Sequence, residues 1–274
     1  MLNDQMKQTV FYLSDRTGIT AELLGQTLLS QFESLVFVTQ TLPYIDTEKK
    51  ALEVVELINR NSQENGIRPI LFSTVVQPEI KAVLHNSQAL MLDVFEHFIA
   101  PLEQEFKIHS SHRVGKKHSS EDKEAYDHRI HAVNYALNTD DGLSIKQYAK
   151  ADIILLGVSR SGKTPTALYL AMQFGILAAN YPITEENLEN HELPSWALQF
   201  KDKLFGLEID AKRLQEIRTE RRANSRYSSQ QQCEFEVKQI NKLYTREAIS
   251  TINTTNRSIE EIATKIIART NLKR

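Results

Sequence analysis

The chain has 274 residues, with 33 Lys plus Arg against 35 Asp plus Glu, so its formal net charge is −2. This near balance gives no overall positive field, which argues against nucleic acid or an anionic membrane surface as a partner. The single cysteine, Cys233, excludes an internal disulfide framework and is typical of a reducing compartment. No stretch approaches the ~20 apolar residues of a membrane span, and the first residues lack the apolar run of a secretory signal. We therefore expect a soluble, cytoplasmic protein.

The N-terminal part of the chain alternates between apolar runs and amphipathic stretches. The runs at residues 10–13, 35–42 and 69–76 predict strands, and the stretches at 19–32, 47–61 and 78–106 predict helices, the last one broken near Pro101. Such alternation favours a parallel sheet with right-handed crossovers. We therefore predict an N-terminal parallel-sheet α/β domain over residues 1–145.

A polar segment, Ser14-Asp15-Arg16-Thr17-Gly18, follows the first predicted strand and opens the first predicted helix. Ligands of parallel sheets bind at the carboxyl ends of strands, so this segment is a site candidate. The same residue types are common in turns and helix caps, which is the interpretation that spacing alone favours.

A basic stretch at residues 107–118 carries three histidines and four Lys or Arg residues. With no cysteine nearby its histidine spacing does not favour zinc. A solvated loop and a loop that grips an anion at a phosphoryl-transfer site are equally compatible with this composition.

The turn Asp140-Asp141-Gly142 follows a predicted helix at residues 121–137. Two adjacent carboxylates can hold Mg²⁺ or activate a hydroxyl group, although composition alone favours a plain turn. We place the domain boundary just beyond this turn, so that the second domain covers residues 146–274.

The strongest motif is G-x-x-x-x-G-K-T, between an apolar run at 153–156 and a helix-forming stretch at 167–172. A strand–loop–helix of this kind aims backbone N–H groups and a helix dipole at phosphate groups. Lys163 is expected to reach the terminal phosphates, and the Thr164 hydroxyl is expected to ligand Mg²⁺. The second domain is therefore predicted to be a P-loop kinase-like α/β domain. Its nucleotide-binding loop comprises Gly157, Val158, Ser159, Arg160, Ser161, Gly162, Lys163 and Thr164.

Further along, an apolar run at 204–209 predicts a strand that ends at Asp210. Asp210 is either the carboxylate that supports Mg²⁺ or the N-cap of the following helix, which spans residues 211–223. That helix is rich in arginine, and we expect one or two of its guanidinium groups, with Arg218 and Arg222 as candidates, to clamp phosphates. An exposed charged helix face is the alternative explanation of this pattern.

Taken together, these motifs resemble one family over essentially the whole chain: the bifunctional regulatory proteins of phosphoenolpyruvate synthase and of pyruvate, phosphate dikinase. The stretches that carry the resemblance lie at residues 11–22, 126–132, 140–142, 157–165, 179–182, 204–209, 217–221 and 258–261. Gln173-Phe174-Gly175 and the segment at 224–227 look like the synthase-directed branch.

The resemblance implies two opposed reactions on a threonine of the target enzyme. In one, the threonine takes the β-phosphoryl group of ADP; in the other, inorganic phosphate removes that group as pyrophosphate. It also implies a homodimer and a protein substrate, phosphoenolpyruvate synthase. In this scheme Arg160 contacts the acceptor phosphate, Lys163 neutralises the transferring group, and Asp141 and Asp210 are candidates for the base or for metal support.

Three alternatives stay open on sequence grounds. The dikinase can be the target instead of the synthase. The same loop also suits a small-molecule kinase, although no small-substrate pocket is recognisable. A nucleotide-sensing module without catalysis is the third, because no catalytic base is evident.

Overall fold

The computed structural model describes residues 7–111, 120–270 and 272. They form two compact units, one that contains the elements up to the fourth helix and one that contains the described elements from the fifth helix onward. Each unit has its own four-stranded, all-parallel sheet with helices, so the α/β prediction is confirmed.

The first unit alternates strands and helices along the chain. Its elements are β1 (Lys7–Leu13), α1 (Ile19–Leu29), β2 (Val36–Leu42), α2 (Glu48–Asn65), β3 (Ile70–Ser73), α3 (Pro78–Leu84), β4 (Leu90–Asp93) and α4 (Glu96–Phe106). The strand order is β2-β1-β3-β4, and Leu13 pairs with both Leu42 and Ser73 at the carboxyl ends. Both faces of β1 are covered, which is why its residues 10–13 form a continuous apolar run.

Two expectations for this unit are wrong. The stretch at 78–106 was expected to be helical, but it contains two helices separated by the short strand β4. Four residues, Leu-Met-Leu-Asp, are too few for periodicity to distinguish a strand from a helix, and pairing with β3 decides the outcome. Helix α4 also continues through Pro101 instead of breaking there.

The second unit has a sheet of order β6-β5-β7-β8 with parallel pairing throughout. Its strands are β5 (Ile153–Gly157), β6 (Ala178–Pro182), β7 (Leu204–Glu208) and β8 (Ser250–Asn253). Its helices are α5 (Ser120–Asn138), α6 (Lys163–Phe174), α7 (Glu185–Glu189), α8 (Ala211–Arg221), α9 (Gln230–Arg246) and α10 (Ile259–Arg269). The strand β5 is buried along its whole length between two apolar cores.

Helix α5 determines where the chain divides. The sequence-based prediction includes α5 in the first domain, ahead of a boundary at residues 145 and 146, whereas in the structure α5 belongs to the second unit. Its residues Ala132 and Ala136 are buried against Ile153 and the α6 side chains, so it forms part of the second core. Among the described residues, no helix combines the length and apolar character needed to cross a membrane.

Candidate functional site at the phosphate loop

The predicted phosphate loop lies between β5 and α6, as the strand–loop–helix motif requires. Helix α6 begins at Lys163, its N-cap Gly162 has φ +91°, and Pro165 lies in the first turn, where a missing N–H leaves no bond unmade. Arg160 has φ +76°, a left-handed conformation that is strained for a residue with a side chain. Two left-handed residues close together wrap the loop around the start of the helix, where the dipole favours an anion.

Gly157 is required at the end of β5. A Cβ atom there would overlap the Ser161 hydroxyl and lie 3.3 Å from the carbonyl oxygen of Leu207. Ser161 Oγ and Thr166 Oγ1 are buried, and no protein group within the described residues bonds them. The loop is therefore packed closely against the sheet on its inner side.

Lys163 folds back over the loop. Its side chain is only 4% exposed, and Nζ donates a 3.1 Å hydrogen bond to the carbonyl oxygen of Val158. Burial lowers the pKa of Lys163 to about 8, although Asp141 and Asp140 act in the opposite direction. A phosphate group in the pocket would offer this ammonium a better partner than a neutral carbonyl.

An aspartate pair from the turn after α5 stands opposite the loop. Asp140 Oδ1 accepts a 2.8 Å hydrogen bond from the Thr164 hydroxyl and a 2.6 Å bond from Nδ2 of Asn180. Asn180 lies on β6, is fully buried, and accepts a bond from the backbone N–H of Asp141. Asp141 has a left-handed backbone (φ +46°) and an exposed side chain. One carboxylate is thus held against Thr164 while its neighbour is free to face a substrate.

The loop and the aspartate pair line one pocket with a volume of about 570 Å³. That volume suits a phosphate-bearing ligand, and the lining combines oxygen donors with three basic side chains. The lining residues are Asp140, Asp141, Ser159, Arg160, Gly162, Lys163, Thr164, Pro165, Ile217 and Arg221.

Six predicted site residues lie outside this lining: Gly157, Val158 and Ser161 of the loop itself, and three residues beyond the loop. Asp210 is the N-cap residue of α8, and its backbone N–H bonds the Thr255 hydroxyl. Arg222 is exposed at the end of the same helix. Arg218 is completely buried, and its guanidinium is already bonded to Glu236 and to backbone carbonyls, so it has no donor left for a phosphate.

Sequence reasoning missed three residues that belong to the site. Asp140 is considered from the sequence only jointly with Asp141 as one of two adjacent carboxylates, Asn180 only within the family stretch at 179–182, and Arg221 only as part of the arginine-rich helix. Asn180 lies on the strand β6, next to β5 in the sheet, which is a signal that could have marked it. Arg221 follows Ile217 by one helical turn, so both face the pocket.

The polar segment after β1, residues 14–18, forms a turn and the N-cap of α1. Ser14 Oγ accepts the N–H of Arg16, Asp15 Oδ2 accepts the N–H of Val76, and Gly18, at φ +83°, is the N-cap of α1. Most of the basic stretch at 107–118, namely residues 112–118, lies outside the described residues.

The residues present fit both a diphosphate and Mg²⁺. The N–H groups at the helix start, Lys163 and the flanking arginines are the groups that bind phosphate oxygens. The Thr164 hydroxyl and the Asp140 carboxylate are hard oxygen donors of the kind that Mg²⁺ prefers. Among the described residues no cluster of three or more His, Cys, Asp or Glu could hold a metal ion. Mg²⁺ usually keeps several waters and takes substrate phosphates as ligands, so a single carboxylate and a hydroxyl suffice for it.

Comparison with known proteins gives the family. A family model described as kinase/pyrophosphorylase matches residues 10–267. A Pseudomonas aeruginosa protein named "putative phosphoenolpyruvate synthase regulatory protein" is 54% identical over 270 residues, 98% of each chain. Proteins of the same name from Stutzerimonas stutzeri and Marinobacter nauticus are 53% and 52% identical over 98% of this chain and 99% of theirs. The chain therefore belongs to the kinase/pyrophosphorylase family.

Proposed function

We propose that the protein regulates phosphoenolpyruvate synthase by two opposed phosphoryl transfers in one pocket. The kinase reaction moves the β-phosphoryl group of ADP to a threonine of the synthase and leaves AMP. The opposing reaction, phosphorolysis, uses inorganic phosphate to remove that group as pyrophosphate. The proposal rests on one observation above all: Lys163, Thr164 and the aspartate pair line a single pocket.

Both reactions need the same cradle for a diphosphate. In the kinase direction the loop holds ADP, the threonine oxygen attacks the β-phosphorus, and the bond to the bridging oxygen of AMP breaks. In the phosphorolysis direction an oxygen of inorganic phosphate attacks the phosphothreonine phosphorus, and the bond to the threonine oxygen breaks. The diphosphate that results lies where the diphosphate of ADP lay before, so positioning and charge neutralisation serve both directions.

The two aspartates have different roles in this proposal. Asp140 is held by Thr164 and Asn180, so it orients the Thr164 hydroxyl and supports Mg²⁺, which neutralises charge on the phosphate oxygens when bound. Asp141 is exposed beside the pocket and is not tied to Thr164, so it accepts the proton of the threonine hydroxyl in the kinase reaction and supplies a proton to the leaving threonine oxygen in phosphorolysis.

Some of the basic residues bind the diphosphate, and others bind the acceptor phosphate. Lys163 and the loop N–H groups bind the diphosphate, while Arg160 and Arg221 line the pocket at its sides and bind the acceptor phosphate. Arg218 and Arg222 have no direct phosphate contact in this scheme.

The test is a labelled transfer with purified proteins. Incubation with the synthase, Mg²⁺ and ADP labelled at the β-phosphate should yield labelled phosphothreonine and AMP. Adding unlabelled phosphate afterwards should release the label as pyrophosphate. Transfer from the γ-phosphate of ATP alone, or to small molecules without any protein acceptor, would overturn the proposal. Repeating the assay with pyruvate, phosphate dikinase tests the alternative target.

We also propose a homodimer. Helix α4 has no buried residue, and Phe98, Leu102 and Phe106 form an exposed apolar stripe along it. Such a stripe is unusual on the surface of a monomer and suits a second copy of the chain. Light scattering should give twice the chain mass, and Leu102→Asp should give the monomer mass; a monomeric wild type contradicts the proposal.

A further inference from the structure

The buried guanidinium of Arg218 is the most heavily bonded side chain around the phosphate loop. It is 0% exposed and is among the largest fully buried side chains in the protein. Nη1 and Nη2 form a fork on the two carboxylate oxygens of Glu236, at 3.0 and 2.7 Å. The guanidinium carbon lies 4.2 Å from the centre of the Tyr227 ring. Burial of a charge is unfavourable unless it is fully paired, and this one is.

Nη1 of Arg218 also donates to the carbonyl oxygen of Tyr227, at 3.1 Å, and the remaining donors bind the phosphate loop. Nε and Nη2 both donate to the carbonyl oxygen of Ser159, at 3.3 and 3.0 Å. Tyr227 holds the same residue by its side chain, because its hydroxyl is 2.9 Å from Ser159 Oγ. Ser159 is therefore fixed through both its backbone and its side chain by residues that come long after the loop in sequence.

Fixing this carbonyl also fixes the next N–H group. The peptide between Ser159 and Arg160 is trans, so its C=O and N–H point in opposite directions. With the Ser159 carbonyl drawn to the buried Arg218, the N–H of Arg160 points away from Arg218, and Ser159 and Arg160 both line the pocket. A carbonyl in that position would repel a phosphate, whereas an N–H attracts it. The backbone of Arg160, next to this fixed peptide, is left-handed, a strained conformation that persists only where the surroundings hold it.

The same contacts place helix α8 against the loop. Ile217 precedes Arg218 and Arg221 follows it by three residues, and both line the pocket. Beyond Glu236 the network continues to Gln232, which also bonds Glu185. The loop is thus connected to α8, α9 and α7 through one buried ion pair.

We propose that Arg218, paired with Glu236 and stacked on Tyr227, is a positioning residue that sets the phosphate loop in its anion-binding conformation. This inference rests on the proposed function only in taking the pocket as a diphosphate site. Arg218 touches no substrate; it acts through Ser159 and through the placement of Arg221.

Two substitutions at Arg218 test the inference without leaving a lone buried charge. Arg218→Lys keeps the charge opposite Glu236 but cannot reproduce the planar fork. Arg218→Met combined with Glu236→Leu removes both charges together, a change that buried ion pairs often tolerate. Arg213→Met is the matched control, since Arg213 lies on the same helix and pairs only with exposed Glu216.

Two measurements are made on the full-length proteins. Hydrogen exchange of the amides at residues 158–163 reports the loop itself, and calorimetry with pyrophosphate reports the site. Both Arg218 variants should melt cooperatively, exchange these amides at least tenfold faster, and bind pyrophosphate at least tenfold more weakly than the control. Tyr227→Phe keeps the stacked ring but loses the bond to Ser159, so it should show a smaller effect of the same sign.

The outcomes separate this inference from the proposed function. Folded Arg218 variants with unchanged loop exchange and unchanged pyrophosphate affinity overturn the positioning role. If an Arg218 variant does not fold, Tyr227→Phe with wild-type loop exchange overturns it instead. If the wild type binds no pyrophosphate, the proposed function fails, and loop exchange alone then decides whether Arg218 positions the loop.

Discussion

The hydroxyl of Thr164 donates a 2.8 Å hydrogen bond to Oδ1 of Asp140, which lies 24 residues earlier in the chain. Thr164 belongs to the start of α6 and Asp140 to the turn after α5, so the bond exists only because these helices pack side by side. A hydroxyl that can ligand Mg²⁺ is thereby oriented by a carboxylate that can support the same ion. This pair is the basis for assigning metal support to Asp140.

Asp140→Asn should reduce phosphoryl transfer and raise the Mg²⁺ concentration needed for half-maximal rate, by about 10- to 100-fold. An amide keeps a hydrogen-bond acceptor for Thr164 but loses the negative charge. A Mg²⁺ titration of the kinase rate measures the shift. Asp210→Asn is the control, since Asp210 lies outside the pocket lining; an effect there equal to that of Asp140→Asn would contradict the assignment.

Asp141→Asn should lower the rate constant of both reactions by about 10²- to 10⁴-fold, the usual loss on removing a general base. Binding of ADP should change little, because the groups that bind the diphosphate are Lys163 and the loop N–H groups and do not include Asp141. Single-turnover rates together with equilibrium ADP binding separate the two effects. A variant that loses ADP affinity but keeps its single-turnover rate would show that Asp141 is not the base.

Lys163→Met should abolish pyrophosphate and ADP binding and, at neutral pH, raise the melting temperature by about 2 °C or more. The reason is that the ammonium, at 4% exposure, bonds a neutral carbonyl, and the charges of Asp141 and Asp140 offset its burial only in part, an arrangement that costs stability in the absence of ligand. Thermal unfolding with and without pyrophosphate measures both effects. Lys212→Met, at an exposed position of α8, should change neither; a lower melting temperature for Lys163→Met would refute this account.

Arg221→Ala should raise the KM for inorganic phosphate by about tenfold or more, the effect of losing one charge-assisted hydrogen bond. Arg222→Ala provides a neighbouring control that removes the same charge outside the pocket lining. Initial rates of phosphorolysis at varied phosphate give the comparison. Equal effects of the two substitutions would indicate that the summed charge of the protein attracts phosphate, and not a direct contact by Arg221.

Asp15→Asn should raise the stability of the first unit at pH 7 and have little effect near pH 3. Burial at 7% exposure raises the pKa of Asp15, partly opposed by the backbone N–H of Val76. Because the folded-state pKa is the higher one, this carboxyl stabilises the fold while protonated and loses that contribution as the pH rises through its folded-state pKa. Asparagine retains the acceptor without the charge.

Asp46→Asn is the control for that pH series, because it should change the stability at pH 7 in the opposite direction. The hydrogen bond from Lys50 lowers the pKa of Asp46, so its contribution is present above the unfolded pKa and is lost in acid. Its replacement should lower stability slightly at pH 7 and have no effect at low pH. Melting curves of both variants from pH 3 to pH 7 should therefore diverge in opposite directions; parallel curves would contradict the pKa assignments.

Local sequence determined the strand–loop–helix around residues 157–164 and the α/β class. A strand–loop–helix has local requirements: the spacing from Gly157 to Thr164, the apolar run before it and the proline in the first helical turn. These features can therefore be recognised in the sequence without knowledge of the fold. The continuous apolar runs of β1 and β5 likewise reflect strands buried on both faces.

Tertiary structure alone decided which polar residues meet that loop. Asp140 rather than Asp210 stands beside Thr164, because the packing of α5 against α6 and of Asn180 on β6 brings the turn to the loop. Arg218, Arg221 and Arg222 are indistinguishable by composition. The rotation of α8 buries the first on Glu236, turns the second to the pocket and leaves the third in solvent. Pairing across long sequence separations depends on helix packing, and charge patterns along one helix do not contain that information.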